Sequence, residues 1–189
     1  MRLFIAIQLN DEMKDALTRL QKQLQRQGVR GNFTRRENLH LTLAFIGEYP
    51  DPYDVKDIME AIDFEPFDIS LDGMGSFGSL WWMGLNSGGN GEENASGEGR
   101  DAGDELKILA KHLRHALADA GIPFDRKKFS PHITLVRKPT VRNGAAEAGA
   151  KPAIPEEVLA DLPRASMLVD HISLMRSERG KHGMIYTEL

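Results

Sequence analysis

The chain has 189 residues, 41% of them apolar, with 24 basic and 28 acidic side chains and a formal net charge of −4. That length suits one domain, or two small lobes sharing a cleft, and that apolar share builds a core instead of a disordered chain. The absence of cysteine excludes disulfides, thiolate nucleophiles and zinc–thiolate sites. The acidic balance argues against a long nucleic-acid groove, which needs a basic excess. A nucleic-acid substrate is therefore expected to be gripped locally, at an end or over a few nucleotides.

The N-terminal run Leu3 to Gln8 reads as a buried strand and is too short for a signal peptide or a membrane span, so a cytoplasmic location is expected. Asn10 or Asp11 then caps a helix to about Gln27, with Met13, Leu17, Leu20 and Leu24 as its apolar stripe and Gly28 and Gly31 beyond it. Leu39 to Ile46 is the next strand, ended by Gly47 and Pro50. Val55, Ile58, Met59 and Ile62 suggest a second helix. Phe67 to Leu71 and Leu80 to Leu85 read as strands.

From Asn86 to Gly103 the sequence turns to Gly, Glu, Asn and Ser without apolar periodicity, a surface insertion (86–103). A helix over Asp104 to Ala120 follows, with Leu106, Leu109, Ala110, Leu113 and Leu117 on one face and Gly121 and Pro123 after it. Phe129 to Arg137 is a strand, and Pro139 to Ile154 is a second insertion (139–154). Met167 to Met175 and Met184 to Leu189 read as a closing pair of strands. The expected fold is α+β: two pseudo-repeated lobes, each an antiparallel sheet with packed helices, around a central cleft, in a single domain over residues 1–189.

One phrase occurs twice, as His40-Leu41-Thr42-Leu43 and His132-Ile133-Thr134-Leu135. Side chains two apart on a strand share a face, so each copy sets an imidazole beside a hydroxyl while the aliphatic residues turn into a core. An imidazole titrates near neutrality, so of two facing histidines one can carry a proton while the other is free. Two such strands on one cleft supply an acid, a base and two hydroxyl donors, the equipment for attack on a phosphate diester without a metal. Arg137, two residues past Leu135, shares that residue's inward phase unless the strand breaks. Turned to the cleft margin, it would bind phosphate.

Other histidines read as bland. His171-Ile172-Ser173-Leu174 is a loose third copy in the closing strands and is assigned a structural or surface role. His112 and His115 lie three apart beside Lys111 and Arg114, the pattern of a solvated helix face. His182 sits in a glycine-rich turn. The glycine-rich segment 87–103 lacks the Gly-Lys-Ser/Thr ending of a phosphate loop. Phe33 and Phe45 are read as core packing in preference to base stacking.

This pattern resembles the two-histidine phosphoesterase superfamily, and within it the RNA 2′,3′-cyclic phosphodiesterases, also called 2′-5′ RNA ligases. The resemblance extends to Arg2-Leu3-Phe4, Glu37-Asn38-Leu39, Phe45-Ile46-Gly47, Gly75-Ser76-Phe77, Trp82-Met83-Gly84, Phe129-Ser130-Pro131 and Arg176-Ser177-Glu178. It departs at Phe33, where Trp is common, and at Ser130, where Arg is common. The resemblance implies His40 as proton donor to a leaving 3′ oxygen and His132 as acceptor of a water proton, with a 2′-phosphomonoester as product. It also implies Thr42 and Thr134 as holders of the non-bridging phosphate oxygens. No cofactor, metal or protein partner is expected of a monomer acting on RNA ends or small cyclic-phosphate nucleotides. Two alternatives stand beside this reading: an enzyme for cyclic nucleotides or ADP-ribose cyclic phosphate, and a non-catalytic RNA-end binding module.

Overall fold

A computed structural model describes residues 1–87, 104–141, 152–181 and 183–189. Most of each expected insertion, and His182, lie outside the described residues. Among the described residues nine strands form two antiparallel sheets. The first has order β3-β1-β8-β9, from β1 (Arg2–Gln8), β3 (His40–Glu48), β8 (Ser173–Gly180) and β9 (Gly183–Glu188). The second has order β2-β6-β5-β4-β7, from β2 (Val29–Phe33), β6 (His132–Val141), β5 (Leu80–Ser87), β4 (Phe67–Phe77) and β7 (Ser166–Val169).

The helices begin where local chemistry requires. In α1 (Asp11–Arg26) the Asn10 Oδ1 accepts from the Met13 amide at 2.9 Å, closing the first turn. Asp51 does the same for α2 (Pro52–Glu60), with proline at the first helical position, and Asp104 for α3 (Glu105–Asp119). A short α4 spans Glu156–Ala160. The apolar stripes of α1 and α3 are fully buried and join Leu41, Leu43, Ile133 and Leu135 in the main core. Each motif strand thus turns its aliphatic residues onto helices and its other face outward.

The two motif strands share an irregularity. In β3, Ile5 pairs with Ala44 and Ala6 with Thr42, which leaves Leu43 unmatched. In β6, Trp81 pairs with Val136 and Trp82 with Thr134, which leaves Leu135 unmatched. These are β-bulges, each adding one residue and resetting the alternation. Leu43 and Ala44 are both buried, as are Leu135 and Val136, and the residues that follow, Phe45 and Arg137, return to the face of the preceding His and Thr. Gly31 lies opposite a further irregularity of β6 at Lys138–Pro139, at φ +154°, where a Cβ would come within 2.8 Å of Val136 Cγ2.

Two sequence expectations change. The segment Met167 to Met175 is two strands in different sheets, β7 and β8, separated by Asp170-His171-Ile172, and the closing pair is β8 with β9. The halves of the chain also exchange a strand, because β2 from the first half pairs with β6. The short Val29–Phe33 run was not legible as a strand because it contains Gly31 and two polar residues.

Gln21 secures the second bulge. It is 6% exposed on the apolar stripe of α1, and its Nε2 donates to the carbonyls of Leu135 at 2.9 Å and Thr34 at 2.8 Å. Gln21→Leu keeps the volume and removes both bonds from buried acceptors, so it should destabilise the fold by about 1–3 kcal/mol in urea unfolding. An unchanged midpoint would show that the bulge holds without it.

Candidate active site

Each motif histidine is fixed by the backbone two residues before it. The Nδ1 of His40 lies 2.7 Å from the Asn38 carbonyl oxygen, and the Nδ1 of His132 lies 2.7 Å from the Ser130 carbonyl oxygen. A carbonyl only accepts, so Nδ1 carries a proton in both rings and Nε2 is the atom left for chemistry. In the first sheet His40 Nε2 stands 3.0 Å from Thr42 Oγ1, the hydroxyl donating to the unprotonated nitrogen. Thr134 holds the corresponding place beside His132, half-buried on β6.

The walls repeat as well. His40 is flanked by Phe4, at 4.9 Å between ring centroids, and by Tyr186, edge-on at 5.2 Å and 88°. His132 is flanked by Trp82 at 6.3 Å and by Phe77, edge-on at 5.2 Å and 89°. Such contacts restrict ring rotation and displace water from one side of each imidazole. Trp82 lies flat on Gly75, where an added Cβ would fall 2.4 Å from the indole.

The two motif strands lie against each other. Burial holds the His40 ring below the ordinary imidazole range, opposed by its hydrogen bond to the Asn38 carbonyl. The Arg137 guanidinium and the His132 ring are near enough to lower it further. Arg137 reaches this side because of the bulge at Leu135; it is exposed and makes no ion pair among the described residues. Among the sequence candidates, therefore, His132 and Arg137 lie within electrostatic reach of His40, Thr42 stands beside His40, and Thr134 follows His132 on the same strand face.

Others stand apart. His171 is exposed on the connection between β7 and β8, with its Nδ1 2.6 Å from Asp170 Oδ1. His112 and His115 are exposed on α3, and no group of three or more potential metal-ligating side chains occurs among the described residues. Phe33 packs against the main core. Phe45 packs with Phe4, Ala6, Met175 and Tyr186, under the Arg2 guanidinium at 5.1 Å.

Sequence reasoning missed the aromatic walls and Gln21. A signal existed for Gln21, the one polar residue on an otherwise apolar helix stripe. None existed for Tyr186 beside His40, because that contact depends on the pairing of β9 into the first sheet.

The chain is similar to known proteins in sequence and in fold. A curated RNA 2′,3′-cyclic phosphodiesterase of Thermotoga maritima is 32% identical over 147 residues, covering 72% of this chain and 70% of that protein. Another of the same name, from Aeropyrum pernix, is 30% identical over 186 residues and 94% of each chain. Among solved structures, a Thermus thermophilus protein superposes with a TM-score of 0.71 at 26% identity, over 100% of this chain and 95% of that one. E. coli LigT complexed with 3′-AMP gives 0.67 at 26% identity, over 100% and 94%. The family model described as the 2′-5′ RNA ligase superfamily matches residues 9–181, and this chain belongs to that superfamily.

Proposed function

We propose that this protein is an RNA 2′,3′-cyclic phosphodiesterase, acting as one unit in which both sheets contribute to a single site. What supports the reading is the pair of motif histidines within electrostatic reach of each other, each bonded through Nδ1 to a carbonyl, which leaves Nε2 for chemistry. The names of the curated relatives support the substrate. The chain's lack of cysteine suits work in the cytoplasm, and we take the monomer as the working form.

In this reading the cyclic phosphate sits between the two Nε2 atoms. His132 takes the proton of an attacking water, the new P–O bond forms, and the bond from phosphorus to the 3′ oxygen breaks. His40 gives its proton to that oxygen, and the product is a 2′-phosphomonoester. Thr42 turns its hydroxyl from His40 to a non-bridging oxygen, Thr134 takes the other, and Arg137 offsets the charge at the cleft margin. With a 5′-hydroxyl in place of water as the nucleophile, the same steps join two ends through a 2′-5′ bond, and run backward they open it again.

Desolvation favours the neutral form of the half-buried His40 ring in the free protein, whereas an arriving phosphate anion favours the imidazolium. A donor must be protonated, so the fraction of His40 able to donate falls as pH rises through its pKa. The kcat/KM profile, which reports the free protein, should therefore carry an inflection below the ordinary imidazole value, and that inflection should move upward in kcat. His40→Ala should abolish the loss of activity at alkaline pH, and His132→Ala the loss at acid pH. The opposite result would exchange the two roles, and a flat profile between about pH 5 and 8 would remove histidine acid–base catalysis altogether.

Purified protein should open a cyclic-phosphate oligonucleotide in excess EDTA and leave a 2′-phosphate. Alanine at His40 or His132 should each lower kcat by about 10²–10⁴-fold. Thr42→Val should lower it by about 10²-fold with little change in stability. Full activity in both histidine variants would place the chemistry elsewhere. Tight binding of RNA ends without turnover would favour a binding module, and turnover confined to mononucleotides would favour a small-molecule enzyme.

A further inference from the structure

Outside the cleft the surface carries a concentrated positive hollow. Helix α3 and the loop from Phe124 to Phe129 line a pocket of about 610 Å³, in which six of the ten lining residues are Lys or Arg and none is acidic. The chain as a whole has more acids than bases, so this is a local excess.

The hollow is built rather than loosely decorated. Arg114 Nη2 donates to the carbonyls of Asp125 and Lys127, each at 2.6 Å, and so pins the loop to the helix. The guanidinium groups of Arg114 and Arg126 lie over the Phe124 ring at 5.2 and 5.5 Å. Lys127 pairs with Asp125 at 3.3 Å, and Lys107 pairs with Asp104. Lys111, Arg126 and Lys128 are exposed and make no ion pair among the described residues.

The loop also links the two motif strands. At one end the Asp125 amide donates to the Phe45 carbonyl at 2.8 Å, on β3 just past its bulge. At the other end Phe129 stands three residues before His132. A chain entering the cleft along this loop would meet the hollow next.

We propose that this hollow holds the phosphodiester backbone of the RNA whose terminal cyclic phosphate lies between His40 and His132, an inference that rests on the activity proposed above. Lysine ammonium groups neutralise phosphates without reading sequence, and the exposed Arg126 guanidinium, propped on Phe124, can stack on any base. The hollow thus makes an oligonucleotide a better substrate than the same cyclic phosphate on a single nucleoside.

The test compares kcat/KM for a cyclic-phosphate oligonucleotide and for 2′,3′-cyclic AMP, in the parent and in a Lys111→Ala, Arg126→Ala, Lys128→Ala variant. Expected are unchanged turnover of the mononucleotide and a loss of about tenfold or more on the oligonucleotide. The logarithmic salt slope should flatten by about 2, near 0.7 per single-strand phosphate contact for three contacts. Equal use of the two substrates by the parent, or equal loss on both in the variant, would overturn the proposal. Should the parent open neither substrate, the cleft assignment fails independently. Anisotropy with an unreactive 3′-phosphate oligonucleotide then decides: weaker binding by the variant sustains the hollow as an RNA contact, and unchanged binding ends it.

Discussion

The site depends on a short hydrogen bond made twice, from the Nδ1–H of a histidine to the carbonyl two residues earlier in its own chain. It fixes the tautomer and the ring plane without a carboxylate. A buried carboxylate would add a negative charge beside an anionic substrate; a carbonyl orients the ring with a dipole only. Because the acceptor is backbone, any residue can supply it. Asn38 and Ser130 do so with unrelated side chains, and the repeat in structure is closer than the repeat in sequence.

The bulges are the second constraint. A regular strand would send the residue five past each histidine into the core, and the inserted residue sends it back to the cleft. The two sheets use that position differently. In the first, Phe45 closes an apolar patch with Phe4 and Met175 under His40, and in the second Arg137 stays open to solvent. A desolvated ring on one side and a free cation on the other make the cleft electrostatically lopsided, although its frame is nearly symmetric.

Much of this was legible in the sequence for identifiable reasons. The duplicated His-x-Thr phrase survives because period-two alternation is local and each copy lies inside a single strand. The helices α1 and α3 were legible because their stripes and caps are local as well. The strand exchange of β2, the separation of β7 from β8, and the placement of Tyr186 rest on pairings between distant segments, which leave no periodic trace. Arg137 was the boundary case. Its phase was uncertain because a one-residue bulge carries no composition signal, and only the register of β6 against β5 resolves it.

The first sheet has a temporal consequence. Its two inner strands come from opposite ends of the chain, β1 being flanked by β3 on one edge and by β8 on the other, and Tyr186 reaches His40 only through β9. During synthesis the first motif leaves the ribosome with one wall missing and an edge of β1 unpaired. Nascent chains are thus expected to lack the Tyr186 wall beside His40 until β9 has been added, a delay written into the topology alone.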